Sequence, residues 1–236
     1  MSKLIAALGG GGFSGGGRAI DDHLLGLTGK ERPRVCFVPT ASGDAATYVD
    51  RFLEAFPAQR AEASVLPLFW RADDDPADLL LAQDVIYVGG GNTKSMLALW
   101  REWGLDWILL NAANNGTVLA GVSAGAICWF EQPFSDSIPG PYVRLNGLGY
   151  LKGSCSPHYD GEVKRRPQFQ SKIAAGEMDA GYAFDNFAAG HFVEGQLKQV
   201  ISSQPTAKGY RVERSGDQAV ETMLDTVYLL KDTAHA

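Results

Sequence analysis

The sequence predicts an α/β fold, a three-layer sandwich in which helices cover both faces of a mostly parallel central sheet. Over the first 130 residues, short apolar runs alternate with stretches of helical pattern, as in parallel sheets. Two of these runs pass directly into glycine-containing turns followed by helices, and ligands in open α/β sheets collect at that edge. A length of 236 residues is most simply a single domain, expected to cover residues 1–236.

The elements follow in chain order from the pattern of apolar residues. The strands predicted for the first part of the chain are Leu4–Leu8, Val35–Val38, Ser64–Leu68, Val85–Val88 and Thr117–Ala120. The helices predicted between them are Asp44–Phe56, Pro76–Leu81, Thr93–Trp103 and Leu105–Asn115. A loop rich in proline and glycine is expected from Gln132 to Gly149, and a basic helix at about Glu162–Ala175. Short strands near Gly181–Phe184, His191–Val193, Gln199–Ser202 and Thr226–Leu230 are expected as additional sheet strands that close the same domain.

Composition excludes several classes of protein. Hydrophobic residues make up 45% and charged residues 20%, as in ordinary globular domains, and the net charge of −6 argues against a nucleic-acid partner. No apolar stretch approaches the roughly 20 residues needed to cross a bilayer, so no membrane partner is expected. Three cysteines without a CxxC pair, and an N-terminus too short in apolar residues for a secretory signal, favour a reducing cytoplasm.

The most informative motif is Gly-Val-Ser-Ala-Gly-Ala at residues 121–126, directly behind the apolar run that ends at Ala120. A strand that ends in Gly-x-Ser-x-Gly and turns at once into a helix holds its serine in a strained, exposed position, typical of a nucleophile. We call residues 121–125 the serine elbow. The helix expected to begin near Ala124 would direct its first N–H groups towards a developing oxyanion.

Two further glycine segments follow predicted strands. Gly89-Gly90-Gly91-Asn92-Thr93 precedes a helix, and amides of Gly90 or Gly91 could join that of Ala124 in an oxyanion hole. The segment Gly9–Gly17 can be aligned with G-x-G-x-x-G, but it lacks a P-loop Lys-Ser/Thr and no acidic residue ends the second strand. We therefore expect a flexible loop beside the active site there, and not a dinucleotide site.

A serine nucleophile needs a base, and the chain has four histidines. His235 is near the terminus and nothing around His23 suggests chemistry, which leaves His158, in a turn after Pro157, and His191, in a strand-like run. The sequence favours His158.

The acid that would orient the imidazole has four candidates, Asp136, Asp160, Asp179 and Asp185. Asp160 is too close in sequence to His158. Asp185, at the end of an apolar run, is preferred, with Asp136 as its rival.

Together, Gly89-Gly90-Gly91-Asn92-Thr93, the serine elbow and Pro157-His158 resemble the peptidase E family, serine peptidases that act as aspartyl dipeptidases, with cyanophycinase more distant. The resemblance extends from about Leu4 to Leu230. It implies a fold like that of class I glutamine amidotransferases, with serine in place of cysteine at the elbow.

The same resemblance implies site residues and a reaction. Ser123 is the implied nucleophile and His158 the base, with oxyanion amides from Gly90 or Gly91 and from Ala124. Some relatives have glutamate at the position matching Asp185, whereas Phe-Asp-Asn-Phe-Ala-Ala-Gly at residues 184–190 departs from the dipeptidase pattern. Arg165 and Arg166 are candidate cations for an acidic substrate side chain, and Asn92 is a further candidate for substrate binding.

The sequence thus predicts a hydrolase of short peptides, with preference for an N-terminal Asp left open, that works through an acyl-serine with Ser123, His158 and Asp185. No metal or organic cofactor is required. Tryptophans such as Trp70, Trp100, Trp103 and Trp107 are candidates for the interface of a homodimer or higher homo-oligomer. Two alternatives remain: an α/β-hydrolase esterase with the order Ser123, Asp185 and then His191 or His235, and a catalytically silent amidotransferase-like binding domain.

Overall fold

Two β-sheets organise residues 2–70 and 75–229, the part of the chain that this computed structural model describes. The strands are β1 (Leu4–Leu8), β2 (Arg34–Val38), β3 (Glu62–Val65), β4 (Val85–Val88), β5 (Val118–Val122), β6 (Phe130–Ser135), β7 (Val143–Arg144), β8 (Leu151–Ser156), β9 (Gly181–Phe184), β10 (Ala188–Val193), β11 (Gln196–Ser202), β12 (Gly209–Ser215), β13 (Gln218–Leu224) and β14 (Thr226–Tyr228). The α-helices are α1 (Arg18–Gly26), α2 (Ala46–Ala55), α3 (Pro76–Leu81), α4 (Thr93–Trp103), α5 (Leu105–Asn114), α6 (Ala124–Ile127) and α7 (Arg165–Ala174).

The larger sheet has eight strands in the order β14-β11-β10-β1-β5-β4-β2-β3. Its centre is parallel: β1 pairs with β5, β5 with β4, β4 with β2 and β2 with β3 in the same direction. β10 joins β1 in the antiparallel direction. The carboxyl ends of β1, β4 and β5 therefore meet at one edge, where the three glycine segments follow them.

Alternation along these strands separates two apolar layers on opposite faces of the sheet. Ile86 and Leu119 face a core that includes residues of α4 and α5, whereas Tyr87 and Ala120 face a core formed with α1 and α2. Successive side chains of a strand point to opposite faces, which accounts for the near-continuous apolar runs of these doubly covered strands. The predicted fold class, a three-layer α/β sandwich with a mostly parallel sheet, is confirmed.

Part of the second half of the chain forms a second sheet. β9 belongs to a six-stranded sheet in the order β13-β12-β9-β8-β6-β7, whereas β10, β11 and β14 extend the main sheet. β6 occupies part of the expected loop. Pro133 is typical of a loop, yet it pairs with Cys155, just after a register irregularity between Phe130 and Gln132. The β12–β13 hairpin escaped prediction because its strands are largely polar and exposed.

Other sequence expectations meet mixed outcomes. The three cysteines, Cys36, Cys128 and Cys155, are free and buried. Trp100 is fully buried against Trp129, whereas Trp70, Trp103 and Trp107 are exposed. Among the described residues, no helix has both the length and the apolar character that a membrane span requires.

Asp21 is a buried carboxyl group in α1. The residue is 1% exposed. Burial, opposed by the charge of Arg60, raises the pKa of Asp21 from 3.8 to about 7. Between these pH values the native protein retains a proton that the unfolded chain has released. The contribution of Asp21 to stability therefore falls as pH rises through that interval.

Replacing Asp21 by Asn should remove this pH dependence. We expect the stability of the variant, relative to the wild type, to increase from pH 4.5 to pH 7.5, by at most about 4 kcal/mol. Urea unfolding at several pH values measures the difference. Asp50→Asn, at an exposed position of α2, is the matched control and should follow the wild type. A constant difference between Asp21→Asn and the wild type across this range would contradict the interpretation.

Candidate active site

Ser123 occupies a strained turn between β5 and α6. Its φ of 56° and ψ of −112° lie outside the regions that a serine ordinarily adopts. The turn brings backbones so close that a Cβ on Gly121 would lie 2.2 Å from the oxygen of Gly125, and one on Gly125 would lie 2.3 Å from the oxygen of Val88. Both glycines of the serine elbow are thus required by close backbone approach, as the motif predicts.

The Gly89–Gly91 segment lies against the serine elbow. A Cβ built on Gly90 would be 3.3 Å from Cβ of Ser123. The N–H of Gly90 donates to the hydroxyl of Tyr48 at 3.2 Å. Within the described residues, the N–H groups of Gly91 and Ala124 have no protein acceptor, so they are available to a ligand.

His158 follows β8 and Pro157 and also has a positive φ, 48°. Its backbone N–H donates to the carbonyl of Gly9 at 2.9 Å, which holds the turn at His158 against the end of β1. Ser123 and His158 line the same pocket of about 410 Å³, whose other lining residues are Gly11, Ser14, Tyr48, Arg51, Gly90 and Val122. No hydrogen bond within the described residues joins the two side chains, and in unliganded enzymes such bonds are often long.

The partner of the imidazole is Asn186. Nδ1 of His158 lies 2.7 Å from Oδ1 of Asn186. Asp185, the residue expected to orient His158, has other partners. Its Oδ2 accepts from the backbone N–H of Lys208 at 3.0 Å and from the hydroxyl of Tyr210 at 3.3 Å. Asp185 and Asn186 are adjacent beyond the end of β9 and bind groups of different segments. Burial raises the pKa of Asp185 to about 6.

The other carboxylates considered for the triad have different partners. Asp136 is 64% exposed and lies 3.9 Å from a guanidinium nitrogen of Arg165. Asp160 accepts the backbone N–H of Asn186 at 2.7 Å, and Asp179 accepts from the amide of Gln132. Asn186 is not among the residues predicted for the site because it is not an acid. The signal that could have found it is its position next to Asp185, where a strand ends at the same edge.

Arg165 and Arg166 are structural in this fold and do not line the pocket. Arg165 is buried, pairs with Glu162 and donates to the carbonyl of Phe134. Arg166 forms an ion pair with Glu221 and stacks over the rings of Tyr159 and Tyr210. Both side chains hold α7 against the second sheet, so they are not available to an acidic substrate.

Asn92 likewise has a structural position. Its Oδ1 caps α4 by accepting the N–H of Ser95 at 2.9 Å, and its Nδ2 donates to the carbonyl of Ser137. The polar side chains that do line the pocket, Ser14, Tyr48 and Arg51, were not identified from the sequence because they come from the Gly9–Gly17 loop and from α2.

The remaining histidines lie elsewhere. His191 is on β10, where it pairs with Ala6 of β1, and its ring packs against that of His23 at a centroid distance of 5.7 Å. Burial lowers the pKa of both imidazoles. His235 lies outside the described residues.

The Gly9–Gly17 loop borders the pocket, as expected, and Phe13 anchors it. The ring of Phe13 contacts an aromatic cluster formed by Phe37, Tyr48, Phe52, Phe56 and Tyr87. At its start, Gly9 and Gly10 accept the backbone N–H groups of His158 and Phe187. The loop thus connects the main sheet to the segments that carry His158 and Asn186.

Unfavourable backbone conformations concentrate around the pocket. Within the described residues five non-glycine residues have positive φ, and three of them are Ser123, His158 and Phe187, the residue after Asn186. Each such conformation costs about 1–2 kcal/mol, and strain that a fold maintains at one place is a frequent mark of a functional site.

Comparison with known proteins places the chain in a family. The model of peptidase family S51 matches residues 5–200. The chain is 48% identical over 229 residues to the "Uncharacterized peptidase YgaJ" of Bacillus subtilis, covering 96% of this chain and 99% of that protein. It is 32% identical over 112 residues to peptidase E of Streptomyces coelicolor, covering 46% and 44% of the two chains.

The fold also matches that of a solved peptidase from an acI-B1 actinobacterium. The TM-score is 0.69 at 17% identity, with 95% of this chain and 98% of that chain covered. The family match and the relative that is similar over nearly its full length lead to one conclusion: the chain belongs to peptidase family S51.

Proposed function

We propose that this peptidase is a serine exopeptidase that hydrolyses dipeptides or tripeptides through an acyl-enzyme on Ser123. The observation that carries the proposal is the strained position of Ser123 in the pocket that His158 also lines. A pocket of about 410 Å³ is of the size that holds a small ligand, which favours short peptides.

The proposed reaction has two halves, acylation and deacylation of Ser123, and each half includes two proton transfers. Oγ of Ser123 attacks the scissile carbonyl carbon while Nε2 of His158 takes the hydroxyl proton. The imidazolium then returns the proton to the leaving amine as the C–N bond breaks. In the second half, water attacks the acyl carbonyl carbon while Nε2 of His158 takes its proton. The imidazolium then returns the proton to Oγ of Ser123 as the ester bond breaks and the acid is released.

Backbone amides supply the oxyanion hole of this proposal. The N–H groups of Gly91 and Ala124 are without protein acceptors in the described chain, and Gly90 lies beside Ser123. Since the N–H of Gly90 is bonded to Tyr48, we assign the principal contacts to Gly91 and Ala124. Preorganised donors of this kind contribute about 3–4 kcal/mol each to transition-state stabilisation.

Arg51 supports a preference for substrates with an acidic N-terminal residue. Of the side chains that line the pocket, it is the one with a permanent charge. Arg165 and Arg166, the candidates from the sequence, are engaged in ion pairs elsewhere. A carboxylate of the substrate within reach of Arg51 would form a charge-assisted hydrogen bond.

The two rival functions lack comparable support. An esterase triad in α/β-hydrolase order would use His191 or His235. The ring of His191 packs against His23 and not in the pocket that Ser123 lines, and His235 lies outside the described residues. A silent binding domain gives no reason for a strained serine beside a histidine, and it predicts a serine that does not react.

Replacing Ser123 by Ala should abolish hydrolysis, with a loss of at least about 10³-fold in kcat, because the nucleophile is removed. A panel of dipeptides and tripeptides varied at the N-terminal residue provides the assay, and circular dichroism with the melting temperature checks the fold. Ser14→Ala, at another serine of the pocket, is the control and should retain most of the activity. Hydrolysis by Ser123→Ala at the wild-type rate would refute the assignment.

A fluorophosphonate separates the proposal from the silent domain. Intact-mass measurement should show one adduct on the wild type, mapped to Ser123, and none on Ser123→Ala. An unlabelled wild-type protein would favour the binding domain, whereas hydrolysis of a p-nitrophenyl ester without any peptide hydrolysis would favour the esterase.

Replacing Arg51 by Gln should reduce kcat/KM for Asp-Leu about tenfold and leave Ala-Leu nearly unchanged, because only the acidic substrate loses a charged partner. Arg32→Gln, whose arginine is exposed and paired with Glu62 outside the pocket, is the matched control. An equal effect of Arg51→Gln on both dipeptides would contradict the preference.

A further inference from the structure

We propose that Asn186 is the positioning residue of His158, so that a neutral amide, and not a carboxylate, orients the base. This inference rests on the proposed function in taking His158 as the base. Its direct observation is the 2.7 Å contact between Nδ1 of His158 and Oδ1 of Asn186. Because an amide oxygen only accepts, Nδ1 carries the proton and Nε2 presents its lone pair to the serine hydroxyl.

The position of Asn186 is enclosed from two sides by glycines. A Cβ on Gly10 would lie 2.1 Å from Oδ1 of Asn186 and 2.9 Å from Nδ1 of His158. A Cβ on Gly161 would lie 2.1 Å from Nδ2 of Asn186. Any larger residue at either position would displace the amide from the imidazole.

The backbone of Asn186 is held as firmly as its side chain. Its N–H donates to Oδ1 of Asp160 at 2.7 Å, and the N–H of Phe187 donates to the carbonyl of Gly10 at 3.0 Å. The carboxylate of Asp160 therefore fixes the backbone of Asn186 and does not contact the imidazole through this oxygen. The Gly9–Gly17 loop and the turn that carries His158 are also joined directly, because the backbone N–H of His158 donates to the carbonyl of Gly9.

The amide changes the electrostatics of catalysis. In the proposed reaction the serine proton moves to Nε2, and the imidazolium keeps its Nδ1–H bonded to Oδ1 of Asn186. A neutral acceptor stabilises that cation less than a carboxylate does, since charge-assisted hydrogen bonds are about twice as strong.

Other charged and titratable groups around the imidazole come from several elements. They are Asp160 and Glu162, which follow His158 in the chain, Asp185 after β9, and Tyr48 and Arg51 of α2. Of these, Glu162 is the carboxylate whose charge interacts with that of His158. None of the three carboxylates is hydrogen-bonded to Nδ1 within the described residues.

The first test compares Asn186→Ala with Asn186→Asp. We expect Asn186→Ala to lower kcat about 10²-fold with little change in KM, because the base loses its orientation. Asn186→Asp preserves the shape and adds a charge, so it should restore most of kcat at alkaline pH. In that variant the acidic limb of the kcat/KM profile should move to higher pH by about one unit.

Two further variants control for packing. Asp185→Asn, which alters the neighbouring side chain away from His158, should keep kcat within about threefold of the wild type. Gly10→Ala should reproduce the loss seen in Asn186→Ala, while Gly26→Ala, where a Cβ meets nothing within 4 Å, should not. Activity of Asn186→Ala within threefold of the wild type, or an unshifted profile in Asn186→Asp, would overturn the proposal.

A readout independent of hydrolysis keeps this inference distinct from the proposed function. Nitrogen-15 NMR of the imidazoles, with His158 assigned by comparison with His158→Gln, should show Nδ1 protonated in the wild type and a mixture of tautomers in Asn186→Ala. The same tautomer in both proteins would overturn the role of Asn186 even if peptide hydrolysis is established. Failure of hydrolysis with the expected tautomer would refute the function alone.

Discussion

The constraint on which this structure depends is the close approach of backbones at the carboxyl edge of the main sheet. Gly121 fits against the carbonyl of Gly125, Gly125 against that of Val88, and Gly91 against that of Ala41, at distances that a Cβ does not permit. Because no side chain separates these segments, the turn at Ser123 can bring its hydroxyl to the edge of the sheet. The strained φ of Ser123 occurs where Ser123 alone connects β5, which ends at Val122, to α6, which begins at Ala124.

The histidine side of the pocket is built on the same principle by a different segment. The end of β1 carries Gly9 and Gly10, whose carbonyls bind the turns that bear His158 and Asn186. The aromatic cluster around Phe13 fixes the rest of that loop in the core that the main sheet forms with α1 and α2. Two sheets are therefore coupled through one glycine-rich loop, and His158, which follows β8 of the second sheet, lines the same pocket as Ser123.

Much of the main sheet was predictable because its strands are buried on both faces and read as continuous apolar runs. The serine elbow was predictable for a related reason, since its glycines mark the turn in the sequence. The second sheet was not, because β12 and β13 are exposed and polar, and because Pro133 disguises β6. The partner of His158 could not be found because it depends on which of two neighbouring residues a turn directs to the site, and Arg51 could not because it depends on which side of α2 faces the pocket. Asp185 and Asn186 differ by one position, yet they bind Tyr210 and His158 respectively.

The central claim is that Ser123 attacks a carbonyl whose oxygen lies between the amides of Gly91 and Ala124. A crystal structure of the enzyme with a dipeptide aldehyde tests it most directly. The account predicts a hemiacetal bond to Oγ of Ser123, its oxygen within hydrogen-bond distance of one or both amides, and Nε2 of His158 close to Oγ. An aldehyde bound in the pocket without a bond to Ser123, or a hemiacetal whose oxygen points away from both amides, would contradict it.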